Sequence, residues 1–173
     1  MKSEWLKVEA VDVVLNLLTP ENRLAIEVSM ATGLRINDCL SLRTEQIRAA
    51  SQRRVTVREQ KTGKTRRVYL PADIYDRMLQ QAGRYYIFEH RLDIKKHRTR
   101  QTVWKDIRRA KQALRIPENF TPHSARKMYA VDLYARTGDL AKVAEALRHS
   151  SATVTMIYAM ADHLQKRRKH ERS

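Results

Sequence analysis

A single cysteine, Cys39, is all the thiol chemistry in this 173-residue sequence. No internal disulfide can form, and the expectation is a protein of a reducing compartment, the cytoplasm. Cys39 falls in an apolar helical stretch, where a small buried core residue is its expected role. Glycine and proline are also scarce, at four each, which argues for a folded, largely helical chain and against a disordered tail. No apolar run approaches the roughly 18 to 20 residues of a spanning helix. The opening Met1-Lys2-Ser3-Glu4-Trp5 lacks the layout of a signal peptide, so no membrane partner is expected. Acidic residues are few as well: 19 against 35 Lys and Arg, a formal charge of +16. Such a charge speaks about partners rather than fold, because it attracts polyanions. Nucleic acid is the first reading; an anionic membrane surface, the second, fades for the reasons just given.

Periodicity supplies the rest of the outline. Val11, Val14, Leu15 and Leu18 share one helical face. Thr19-Pro20-Glu21 reads as N-cap, first helical proline and a favoured acid. The helix so opened is apolar on most sides and ends at Gly33, and a short third helix follows over residues 37–42. Val55, Val57, Val68 and Leu70 then alternate on either side of Lys61-Thr62-Gly63-Lys64, predicting a β-hairpin. Pro71 starts a helix to about Gln81. Residues 85–88 read as one more short strand, and residues 89–100, polar and basic, as a surface loop. Helices are expected from Thr102, from Thr121-Pro122 to about Arg136, and from Asp139 to Leu147, with Gly138 between the last two. Ser150-Ser151 is placed to cap a final short helix carrying Tyr158. The expected fold is mainly α with a small antiparallel β-sheet (α+β), one domain over residues 1–164 with a basic tail over 165–173.

Certain polar residues stand where helix propensity does not require them. Arg35 lies where a buried helix ends and another begins, and Lys61 lies in the hairpin turn. His123 and Arg126 are three apart at a helix start, hence on one face. His149 precedes Tyr158 by nine residues. Taken singly, each has an ordinary explanation: a surface ion pair, a solvated lysine, a capping histidine, a half-buried tyrosine. Together they suit phosphoryl transfer, which needs cations on the non-bridging oxygens and good alignment. Arginines grip such oxygens in bidentate fashion. A tyrosine hydroxyl, with a reference pKa of roughly 10, needs a base or a strong positive field to attack at neutral pH. Histidine answers the first need and the arginine pair the second, while a lysine can protonate the departing oxygen. The six histidines show no metal-binding spacing, so neither a metal nor another cofactor is expected.

In these residues the sequence resembles the tyrosine recombinase, or phage integrase, family. Ala31-Thr32-Gly33-Leu34-Arg35-Ile36 is similar to its first arginine motif, continued by Leu40-Ser41-Leu42-Arg43. Gln60-Lys61-Thr62-Gly63-Lys64 resembles its lysine-bearing turn, and Thr121-Pro122-His123-Ser124-Ala125-Arg126 its His-x-x-Arg motif. Leu147-Arg148-His149-Ser150-Ser151 and Met156-Ile157-Tyr158-Ala159 resemble its closing histidine and nucleophilic tyrosine. The resemblance implies the family's catalytic-domain fold and a set of roles. Tyr158 would form a 3′-phosphotyrosine link and free a 5′-hydroxyl. Arg35, Arg126 and His149 would hold the phosphate, Lys61 would act as general acid, and His123 would help move the tyrosine proton.

It also implies double-stranded DNA as partner, a homotetramer on DNA that is monomeric when free, and a cytoplasmic protein of bacterial or phage origin. Lys64, Arg98, Arg100, Lys105 and Arg148 are the further DNA-contact candidates. Arg148 departs from the family pattern, which has glycine before this histidine. The family's N-terminal helical module is not in this sequence, so an excised domain or a short enzyme is expected. Two other readings stay open: a type IB topoisomerase-like enzyme that relaxes DNA, and a DNA-binding relative without catalysis.

Overall fold

The structure is a computed structural model and describes residues 8–117 and 120–147. The chain divides after Arg126 into two compact units. In the first unit, helix α1 (Val8–Asn16) buries Val11, Val14 and Leu15, and Leu18 just beyond it is buried too. Helix α2 (Pro20–Thr32) is the central element and buries Leu24, Ala25, Ile26 and Val28. Thr19 occupies its N-cap position, but its hydroxyl makes no cap bond. Instead the Thr19 N–H donates to Asp106 Oδ2 at 2.8 Å, and Asn22 Nδ2 donates to the same oxygen at 2.8 Å. A buried carboxylate from another helix thus anchors this N-terminus through one backbone and one side-chain donor, where the helix dipole favours a negative charge.

Helix α3 (Ile36–Leu40) packs on α2 and buries Cys39 and Leu40. Helix α4 (Thr44–Arg48) is short and has no counterpart among the sequence expectations. Strands β1 (Arg54–Arg58) and β2 (Thr65–Tyr69) form the expected antiparallel hairpin, with Val55 opposite Val68 and Val57 opposite Arg66. Helix α5 (Ala72–Gln81) packs against α2 and α4. Residues 85–88 are not a strand: only Tyr86 makes an isolated bridge, to Arg43. The pairing comes later, in β3 (Glu89–His90) and β4 (Asp93–His97), where the sequence suggested a loop. This second hairpin exposes much of both faces, so it lacks the apolar alternation that marks a half-buried strand.

Helix α6 (Arg100–Leu114) follows, with Val103, Ile107 and Ala110 buried and Thr99 capping it through a bond from the Thr102 N–H. Helix α7 (Pro122–Thr137) begins at its proline, as expected. Its continuation in the second unit packs with helix α8 (Leu140–Leu147) around Ala130, Val143 and Leu147. Gly138 has a φ of 65°, and Asp139 Oδ1 accepts from the N–H groups of Ala141 and Lys142, a true N-cap. As expected, the fold is mainly helical with small antiparallel β-structure, which among the described residues forms two separate two-stranded sheets. The last expected helix and the basic tail lie outside the described residues. Among those residues no helix is long and apolar enough to cross a membrane.

Candidate active site

Four of the catalytic candidates, and one DNA-contact candidate, Arg100, meet in one place. Arg35, Lys61, His123 and Arg126 all line an open cleft of about 640 Å³ in the first unit, together with Arg100, Gln101 and Trp104. Each is brought there by a different local device.

Arg35 is delivered by a stiff corner. Gly33 ends α2 at a φ of 67°, and its N–H donates to Ser29 O at 2.9 Å. The left-handed conformation favours glycine, because a Cβ there crowds the backbone. Ser29 Oγ donates to Leu34 O at 2.7 Å, and Leu34 itself is fully buried. The chain then turns extended at Arg35, which stands as the N-cap residue of α3.

Lys61 is delivered by the turn of the first hairpin. The Gly63 N–H donates to Glu59 O at 2.8 Å, and the Glu59 N–H donates to Lys64 O at 2.9 Å. Gly63 supplies the positive φ, 67°, that closes the turn. The turn is tied to α3 as well, since the Gln60 N–H donates to Asp38 Oδ1 at 2.9 Å. His123 and Arg126 come from the first two turns of α7. There the Thr121 N–H donates to Ser124 Oγ at 3.1 Å and the Ser124 N–H to Thr121 O at 2.8 Å. His123 is exposed, whereas Arg126 is only 2 % exposed.

The electrostatics rest on two acids that sequence reasoning missed, Glu59 and Asp38, both buried. Arg35 Nη1 donates to Glu59 Oε2 at 2.9 Å, and Arg66 Nη1 lies 3.8 Å from Glu59 Oε1. Burial alone would push the Glu59 carboxyl upward. Hydrogen bonds from Thr62 and Arg35, with the charges of Arg35 and Arg66, outweigh it and hold the group below its usual range. Asp38 goes the other way: burial raises it, Glu59 adds to the rise, and the bond from Gln60 only partly offsets them.

Burial likewise lowers Arg126 to about 10, assisted by repulsion from Arg35 and Arg66 and opposed by Glu59 and Asp38. Three guanidiniums stand against two acids here, so positive charge predominates in this cluster even before Lys61 and Arg100 are added. A cleft with fixed cations in a low-dielectric wall suits an anionic group such as a phosphate.

The remaining candidates are dispersed or undescribed. Lys64 and Lys105 are exposed, Arg98 pairs with Glu21 at 3.6 Å and with Asn22 at 3.4 Å, and none of the three lines the cleft. Arg148, His149 and Tyr158 lie outside the described residues. Among the described residues, no three His, Cys, Asp or Glu side chains gather where they could hold a metal ion. Trp104 and Gln101 were not anticipated either. They lie on the exposed side of α6, at spacings that the amphipathic pattern alone assigns to solvent.

Residues 4–165 match the phage integrase family. The chain belongs to that family. Among phage integrase relatives, a tyrosine recombinase XerD of Lacticaseibacillus casei is 31% identical over 150 residues, 79% of this chain and 49% of its own length. A tyrosine recombinase XerA of Pyrococcus furiosus is 29% identical over 143 residues, again 79% of this chain and 49% of the relative. The chain therefore spans about half the length of these curated relatives. In structure it is similar to a XerA recombinase, with a TM-score of 0.72 and 19% identity over 100% of this chain and 66% of that one. It is also similar to the catalytic domain of bacteriophage HP1 integrase, with a TM-score of 0.67 and 20% identity over 97% of this chain and 95% of that one. These likenesses show the tyrosine recombinase catalytic-domain fold.

Proposed function

We propose that this chain is the catalytic domain of a site-specific DNA recombinase that cuts and rejoins DNA through a 3′-phosphotyrosine. The observation that carries the reading is the convergence of Arg35, Lys61, His123 and Arg126 on one positively charged cleft in a phage integrase family chain. A structural relative with a TM-score of 0.69 and 21% identity, the XerH site-specific recombinase, is bound to a palindromic difH substrate in a post-cleavage complex.

The chemistry follows from the groups. Arg35 and Arg126 bind the non-bridging oxygens of the scissile phosphate, with His149 as a third donor assigned from its motif. Tyr158, likewise assigned from its motif, attacks phosphorus through its phenolic oxygen, and its proton passes by way of His123. The bond from phosphorus to the 5′-oxygen breaks, and Lys61 protonates that oxygen. A 5′-hydroxyl from a second strand then reverses the step on a new junction. The bond energy is conserved in the phosphotyrosine, so the cycle consumes no nucleotide. Exchange between partners calls for several protomers on one DNA assembly, a homotetramer in this reading.

The direct test is incubation with a pool of nicked suicide duplexes, in which the cleaved fragment diffuses away and traps the intermediate. A denaturing gel should show protein-linked DNA that protease treatment collapses. Absence of any covalent species at low salt and saturating DNA would overturn the reading.

A further inference from the structure

Glu59 has no part in the steps above, yet its carboxylate ties one of the groups that do, Arg35, to the turn that carries another, Lys61. It is fully buried, and a buried carboxylate is costly unless partners surround it. Its Oε2 accepts from Arg35 Nη1 at 2.9 Å and from Thr62 Oγ1 at 2.9 Å. Its backbone closes the turn on both sides, through Gly63 and Lys64. The Lys64 N–H in turn donates to Thr62 Oγ1 at 3.3 Å. One oxygen thus anchors the first arginine and the residue that follows Lys61.

We propose that Glu59 is a positioning residue whose Oε2 sets the pose of Arg35 and the closed form of the Lys61 turn together. The inference rests on the roles proposed above for Arg35 and Lys61. A guanidinium carries five N–H donors, and this bond uses one of them. Arg35 is thereby held from behind while its side chain still lines the cleft. An ordinary buried ion pair would stabilise the hairpin and do no more. Coupling is different: disturbing Glu59 must degrade phosphate binding in the transition state and proton delivery at once, whereas disturbing Thr62 must degrade proton delivery alone.

Single-turnover cleavage at saturating DNA separates the two cases, using the most readily trapped duplex and its counterpart with sulfur at the 5′-bridging position. Sulfur leaves without a proton, so it bypasses the general acid. Glu59→Gln should slow cleavage of the oxygen duplex by at least about tenfold, with DNA affinity within about threefold of wild type, because Glu59 is fully buried and not on the DNA-accessible surface. The sulfur duplex should recover only part of this loss, since the Arg35 share remains. Thr62→Val should slow the oxygen duplex less, and the sulfur duplex should recover all of its loss.

A folded Glu59→Gln variant that cleaves at the wild-type rate overturns the inference, as does a Thr62→Val loss that sulfur leaves untouched. If Glu59→Gln fails to fold, Thr62→Val decides alone, and a wild-type rate on oxygen overturns the coupling. Wild-type protein that traps no DNA at all would instead defeat the functional reading.

Discussion

Lys61 and Lys64 share one turn and both are exposed, yet only Lys61 lines the cleft. Their charges are equal, so a purely electrostatic role predicts similar losses from either. A proton donor must reach one atom, and that requirement separates them. Lys61→Ala should slow cleavage of ordinary DNA by roughly a hundred- to ten-thousandfold, the range of a lost general acid. Sulfur at the 5′-bridging position should restore most of that rate. Lys64→Ala should cost mainly affinity, through one lost phosphate contact. Persistent slowness of Lys61→Ala on the sulfur duplex would make Lys61 a binding residue and send the search for the acid elsewhere. The cations themselves were legible in the sequence because each followed a turn or helix-start signal. Glu59 was not, since Arg58-Glu59-Gln60-Lys61 reads as a solvated charge run. The signal was nevertheless present: Val55, Val57 and Glu59 alternate, and all three are buried. An acid continuing an inward-facing row demands a cation, and Arg35 and Arg66 meet it.

The elements bearing the site are set by short-range rules, which is why most of them could be read in advance. Gly33, Pro122 and Gly63 each mark a boundary through backbone preference alone. Failures came where no such rule operates. Helix α4 is only five residues long, below the length at which periodicity is informative. The β3–β4 hairpin exposes Leu92 and Ile94 and pairs through its backbone, leaving little apolar pattern to detect. At Gly63 the local rule makes a clean prediction. A Cβ added there meets nothing within 4 Å, so a substitution perturbs the φ of 67° without a clash. Gly63→Ala should cost about 1–2 kcal/mol of stability, the left-handed penalty for an L-residue, and should slow cleavage through the displaced Lys61 turn. Gly63→Asn should recover much of both, because asparagine tolerates this conformation. Equal behaviour of the two variants in thermal melts would show that the turn is not held left-handed in solution.

Across the whole molecule, 35 basic residues against 19 acidic ones make phosphate contact the main expected source of affinity. Binding to duplex DNA should therefore weaken steeply and log-linearly with salt, at a slope of about −0.9 per phosphate neutralised. Discrimination between sequences should be modest, because Arg100 and Gln101 are the polar α6 side chains that line the cleft and Lys105 stands apart from it. A strong preference for one duplex at physiological salt would contradict that expectation. The described cleft gathers the cations proposed to bind phosphate, while Tyr158 lies outside the described residues. Seven tyrosines are present, so the nucleophile is a matter for direct measurement. The decisive experiment is to digest the trapped protein–DNA complex and locate the nucleotide-modified peptide by mass spectrometry. The expected result is a phosphotyrosyl link at Tyr158, with Tyr158→Phe trapping nothing while binding DNA within a few fold of wild type. A link at Tyr129, Tyr134 or any other residue, or full trapping by Tyr158→Phe, would contradict the assignment.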